Sequence, residues 1–250
     1  MKLPDVSTIV DLVSVVLHTG GLQGRRPVST LLCAPPDSGK TIWIMDRFAN
    51  NSGIHRVNMV TRIGLARWLL RDKRWEKYHH LMIPDLTAVL AGGNSSSEAL
   101  QSFLMGLVYE GVTNYHTLNL PAIHLSSAVS IGLVAGITPG ILRKRRQDWE
   151  QSGFLRRFLP ISYGYTKGQE AGIDELCLDG LNIKPPSITL NYSLWGERVL
   201  PPPHLSRFLS SVIVGGRTMS EIFHSLVLAH ALRRGVLQGD RSDVAAIIRL

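Results

Sequence analysis

Cysteine is nearly absent from this chain: there are two, Cys33 and Cys177, in 250 residues. They show no metal-ligand spacing, which excludes a cysteine-held metal and fits small buried roles in a reducing compartment. No secretory leader is expected, because Asp5 and Asp11 interrupt the apolar N-terminal stretch. Aromatic residues make up 7% of the chain, too few and too scattered for a base-stacking platform. There is no internal repeat and no low-complexity tract. His79 and His80 lack a third ligand at metal spacing, and no nucleophile motif surrounds Ser126 and Ser127.

Charge is missing from one long segment. Leu120–Leu142 contains no Asp, Glu, Lys or Arg, and Arg143-Lys144-Arg145-Arg146 follows it. Length and basic flank imitate a membrane span. Pro121, Gly132, Gly136, Pro139 and Gly140 break it up, so it is read instead as a buried strand over Ser127–Thr138 with a helix starting at Pro139. No membrane association is expected. Acids are fewer than bases, 19 against 27, giving a formal net charge of +8. That charge permits an anionic partner such as DNA. The basic run after Leu142 is read as a solvated helix face, with nucleic acid or a subunit interface as alternatives.

What is present is concentrated in Leu31–Ile44, LLCAPPDSGKTIWI. A buried strand enters a tight loop, Ala34-Pro35-Pro36-Asp37-Ser38-Gly39-Lys40-Thr41, and a helix leaves it. Backbone amides of such a loop point at an anion, Lys40 reaches the β- and γ-phosphates, and the Thr41 hydroxyl ligates Mg²⁺. The phosphate loop asks for Gly-x-x-x-x-Gly-Lys-Ser/Thr, and Ala34 stands at the first glycine position. Nucleotide contacts are expected from Pro35, Pro36, Asp37, Ser38, Gly39, Lys40, Thr41 and Ile42.

Strands are expected at Val28–Cys33, Arg56–Thr61, His79–Asp85, Ser127–Thr138 and Phe158–Tyr165, with helices between them. The pattern predicts an α/β fold, a three-layer αβα core around a parallel five-stranded sheet. Residues 1–168 form this core, 169–203 a linker with short strands, and 204–250 a small helical lid. Asp85 closes the third strand, where an acid organises the Mg²⁺ water shell or simply caps a turn. Leu86 follows it, where a P-loop ATPase usually carries the glutamate that polarises the attacking water.

In this order of elements the chain resembles the AAA+ ATPase superfamily. The resemblance implies that Thr138, at the end of an apolar strand, is the polar sensor of the γ-phosphate. It also implies that Gln151–Phe158 is the arginine-finger loop, with Arg157 the first candidate and Arg156 the second, serving a neighbouring subunit in trans. Gly215-Gly216-Arg217 resembles the opening of the lid helix that carries a second sensor, and Arg217 is then either that sensor or a surface residue. Implied with these are ATP and Mg²⁺ as cofactors, a homo-oligomeric ring, a cytoplasmic location, and DNA or a DNA-bound protein as the object remodelled. Leu86 leaves a second expectation open, a nucleotide-binding interaction module with little or no hydrolysis; on the ATPase reading Glu110, on the helix after Asp85, is a substitute for the missing glutamate that nothing in the sequence positions. A small-molecule P-loop kinase is a third reading, disfavoured by the helical tail.

Overall fold

A computed structural model describes residues 6–90, 94–117, 120–169, 185–212 and 216–250. Five parallel strands form one sheet: β1 Ser29–Cys33, β2 Ile54–Arg56, β3 His80–Ile83, β6 Gly132–Ile137 and β7 Phe158–Ser162, in the order β2-β3-β6-β1-β7. Strands β4 Val112–Thr117 and β5 Leu120–Val129 pair separately as an antiparallel hairpin. In the sheet, Leu31 lies beside Ala135 on one side and Pro160 on the other.

The side-chain period of two sends alternate residues to opposite faces, and both faces are covered. Leu32, Met82, Val134 and Ile161 pack in one core, with α1 Ser7–His18, the residues after the phosphate loop, and α7 Gly216–Arg233. Leu31, Leu81, Leu133 and Ile137 pack in the other. There they meet α2 Arg62–Ala66, α3 Leu86–Val89, α4 Asn94–Met105 and α5 Pro139–Gln151. This is the three-layer αβα architecture expected. Helices α6 Leu205–Val212 and α8 Arg241–Arg249 complete the C-terminal part, and Leu209, Leu226 and Ile247 join the α1 side of the core.

Local chemistry explains the element starts. Thr61 caps α2 by accepting from the Gly64 amide at 3.1 Å, and Pro139 opens α5, where its missing N–H costs nothing. Asp240 and Asp243 form a reciprocal capping box at α8. Of the expected 169–203 segment, residues 170–184 lie outside those described. Of its remainder, Leu190 and Val199 are buried, and Leu200 bridges to Gln238.

Two sequence expectations shift. The apolar run over Ser127–Thr138 is not one strand: it ends the hairpin at Val129, turns at Ser130-Ile131, and resumes as β6. Both halves are apolar, so composition hides the boundary. The second strand is Ile54–Arg56 rather than Arg56–Thr61. Only Ile54–Arg56 lies alongside β3, and Met59 beyond it is 80% exposed. Among the described residues no helix is long and apolar enough to cross a membrane.

Candidate functional site

The phosphate loop lies at the C-terminal ends of β1 and β6. Ala34 continues β1, donating its amide to the Ile137 carbonyl at 3.2 Å, and has ordinary backbone dihedrals, so this loop does not need glycine there. The sharp turning falls instead at Asp37, φ +56°, and Gly39, φ +73°. A wide-turned helix, Lys40–Ile44, follows and is continued by a 3₁₀ turn, Met45–Arg47. A Cβ on Gly39 would sit 2.5 Å from the Trp43 ring.

Lys40 Nζ donates to the carbonyls of Ala34 at 2.8 Å and Pro35 at 2.6 Å and to Ser38 Oγ at 3.3 Å. Burial lowers its pKa, opposed by Cys33, Asp85 and Asp37. A phosphate oxygen binding here exchanges with those carbonyls for the ammonium. The loop is braced from β7, since Tyr165 donates its hydroxyl to the Ser38 carbonyl at 2.8 Å and Tyr163 to the same oxygen at 3.4 Å. Ser38 is buried, Pro36 and Asp37 are exposed, Pro35 and Thr41 are half-buried, and Ile42 is 49% exposed.

Asp85 is exposed at the end of β3, two sheet positions from the loop. Its Oδ1 caps the short helix α3, accepting from Thr87 N at 2.9 Å and Ala88 N at 3.3 Å. Oδ2 makes no hydrogen bond among the described residues, so capping and holding a metal-bound water are compatible. Leu86 is fully buried. Thr138 ends β6 beside the loop; its side chain makes no capping bond to α5. Lys40, Thr41, Asp85 and Thr138 are therefore gathered at one end of the sheet. Their donor set, an ammonium, a hydroxyl and a carboxylate beside turned backbone, fits a triphosphate with Mg²⁺.

Arg157 and Arg217 are not there. Arg157 immediately precedes β7, at the N-terminal ends of the strands. Roughly 13 Å of β1, at ~3.3 Å per residue, separates that end from the loop end. Arg157 Nη2 donates to Glu110 Oε1 at 2.8 Å and Nη1 to the Gly153 carbonyl at 2.5 Å, while its buried Nε has no partner among the described residues. Glu110 is thus tied to Arg157 and stands away from Lys40. Arg156 is exposed. Arg217, in the first turn of α7, donates to Glu221 at 2.9 Å with its side chain 92% exposed.

Both arginines line one cavity of about 750 Å³ together with Arg25, Arg26, Tyr109 and Glu221. Arg26 lies over the Tyr109 ring at 5.1 Å, and Arg157 lies over the same ring at 5.5 Å. Sequence reading missed Arg25, Arg26 and Tyr109 here, and Tyr163 and Tyr165 at the loop. For the tyrosines a signal existed, since their spacing of two puts both on one side of an extended chain. For Arg25-Arg26 the only signal was a basic pair just before the first strand.

The histidines of His79-His80 serve packing. His79 Nδ1 and His80 Nδ1 are 2.8 Å apart, and His80 Nε2 is 3.1 Å from the Val28 carbonyl. Burial holds His80 near pKa 4 and depresses His79 further, so both are neutral. Among the described residues no group of His, Cys, Asp or Glu could hold a metal ion.

No family model matches the sequence, and no curated protein matches it. Solved structures do resemble it. One is a candidate ATPase from Cytophaga hutchinsonii, with TM-score 0.52 and 12% identity over 96% of this chain and 79% of that one. Another is a full-length MCM homolog from Methanopyrus kandleri, with TM-score 0.52 and 13% identity over 99% of this chain. The chain spans 55% of that homolog's length. At such identities the likeness is one of fold: the chain has the layered αβα architecture that its resemblance to AAA+ ATPases implies, and shares it with these two proteins.

Proposed function

We propose that the chain is an AAA+-type ATPase that binds ATP and Mg²⁺ and assembles head-to-tail into a ring. Lys40 and the amides of residues 35–42 hold the phosphates, Thr41 and Asp85 hold the metal and its water, and Thr138 contacts the γ-phosphate. Mg²⁺, when bound, would neutralise charge on the phosphoryl oxygens. The observation that carries this reading is the convergence of Lys40, Asp85 and Thr138 at one end of the sheet, around a loop turned by Asp37 and Gly39.

Arg157 and Arg217 support assembly, because both lie at the sheet end opposite their own loop. Each would meet the γ-phosphate on a neighbouring subunit, where a guanidinium stabilises transition-state charge. The net charge of +8 favours DNA, or a protein bound to it, as the object remodelled, with residues 1–168 as motor core and 204–250 as lid. Fluorescent ATP-analogue binding tests the reading: Lys40→Ala is expected to abolish it, and undiminished affinity in that variant removes the proposal.

A second reading is favoured by Leu86, which is buried where a catalytic glutamate is expected, and by Glu110, which is engaged with Arg157. On that reading the chain is a nucleotide-dependent switch with little hydrolysis. Steady-state ATP turnover with and without DNA separates the two.

A further inference from the structure

Away from the phosphate loop, β2 stands at the edge of the sheet, with β3 on one side and no strand on the other among the described residues. Such an edge leaves main-chain donors and acceptors open to an added chain. Where β2 meets α2 there is a groove of about 470 Å³, lined chiefly by His55, Val57, Met59, Val60, Leu65 and Trp68. Met59 is largely exposed. A concentration of apolar side chains open to water marks an interaction surface. One wall of the groove is aromatic. His55 stacks on Trp68 with 4.3 Å between ring centres, and Tyr78 lies 5.0 Å from His55 and 5.6 Å from Trp68. Rings already packed on one another lose little side-chain entropy when something docks against them. The chain from 67 to 78, RWLLRDKRWEKY, sets five cations against two acids. All five cations are exposed, and none makes an ion pair among the described residues. Lys77 lies 5.2 Å over the Tyr78 ring. Burial first, and then the charges of Arg74 and Lys77, lower the His55 pKa, which puts both cations within electrostatic reach of the aromatic wall.

We propose that this groove docks an extended acidic segment of a partner protein. An apolar side chain of that segment packs against Met59, Leu65 and Trp68, and the carboxylates beside it meet Arg74 and Lys77. Charge complementarity names the partner, because unpaired cations around an apolar slot select acids flanking an apolar anchor. The slot also decides against nucleic acid. Val57, Met59, Val60 and Leu65 offer the polar edge of a base no hydrogen-bond partner, and burying that edge unpaired is costly. An extended chain suits the open edge of β2, whose backbone can bond to a strand laid beside it. In the sheet, β3 and β6 separate β2 from β1 and its phosphate loop. The inference therefore stands apart from the ATPase reading.

The test is fluorescence anisotropy of a labelled synthetic peptide of about eight residues, alternating glutamate and leucine, titrated with the full chain without nucleotide. Wild type is expected to bind it, and to bind several-fold more weakly when salt rises from roughly 50 mM to roughly 500 mM, because exposed charges are screened. Met59→Glu and Arg74→Glu are each expected to weaken binding about tenfold or more. Both side chains are exposed, so circular dichroism and the melting temperature should stay as in wild type. Lys77→Glu repeats the measurement on the second cation. Wild type that fails to bind the peptide overturns the proposal, as do Met59→Glu and Arg74→Glu variants that bind it at wild-type strength. Polyglutamate of the same length is expected to bind far more weakly; equal binding would mean a charged surface without a slot and overturns it. A peptide alternating lysine and leucine is expected not to bind; equal binding would mean apolar adhesion alone and overturns it as well. Oligothymidylate of about ten nucleotides that displaces the peptide, and itself loses affinity in Met59→Glu, would assign the groove to nucleic acid instead.

Discussion

The hydroxyl of Tyr165 donates to the carbonyl oxygen of Ser38 at 2.8 Å, tying the tail of β7 to the phosphate loop. The bond fixes a peptide whose neighbours, Asp37 and Gly39, both have positive φ. Tyr165→Phe removes it while keeping the ring against Trp43. A net hydrogen bond is worth about 1 kcal/mol, so ATP-analogue affinity is expected to fall several-fold with little change in melting temperature. An equal loss of fold stability would show that the bond serves packing instead of the loop.

Gly39 tolerates no side chain, for two reasons. Its φ of +73° strains any L residue, and an added Cβ would lie 2.5 Å from Trp43. Gly39→Ala is expected to cost roughly 1–3 kcal/mol of strain and to disorder the lysine's approach to phosphate. Isothermal titration should then show ATP-analogue binding weakened at least as much as in Tyr165→Phe.

Arg157→Ala separates assembly chemistry from loop chemistry. Its guanidinium contacts Glu110 and Tyr109, far from Lys40. Turnover is expected to fall by about a thousandfold if the guanidinium meets the neighbour's transition state. Turnover close to wild type would restrict Arg157 to its ion pair with Glu110.

Acid should destabilise the fold between pH 6.5 and 4. His18 and His80 are almost fully buried, and burial lowers each from the ordinary 6.5 to about 4. Within that window the unfolded chain binds protons that the folded chain refuses, so stability rises with pH and is lost as pH falls. A shift of this size corresponds to about 3 kcal/mol for one isolated group. The urea midpoint should therefore drop steeply on titration from pH 7 to pH 4.5, and a flat midpoint would contradict the burial assigned to these imidazoles.

Asp243 is fully buried and accepts from His230 at 2.7 Å and from Arg234 at 2.8 and 2.9 Å, besides capping α8. Removing one member of a buried charged network leaves the others uncompensated, and Asp243→Ala is expected to cost roughly 3 kcal/mol. Hydrogen exchange should speed up first in residues 241–249. Uniform acceleration across the sheet would instead mean that this helix unfolds only with the whole domain.

Much of the site was readable in one dimension because its parts are contiguous. Strand, loop and helix over Leu31–Ile44 announce a phosphate site by residue type, and Asp85 and Thr138 announce themselves as polar ends of apolar strands. The hairpin was hidden, since Ser127–Thr138 carries no charge and Ser130, the one polar residue at the break, marks it no more strongly than the serines inside the strand do. The surplus of arginine was hidden for another reason: Arg25, Arg26, Arg157 and Arg217 come from three distant segments, and each alone looks like surface charge.

The order of residues by itself therefore determined the layered αβα class and the lysine-bearing loop, because short-range backbone geometry and the burial of alternating strand faces are local properties. Only the tertiary structure decided that Arg157 and Arg217 stand at the end of the sheet opposite Lys40. That placement follows from all five strands running parallel in the order β2-β3-β6-β1-β7, which sends every strand's beginning to one edge and every strand's end to the other.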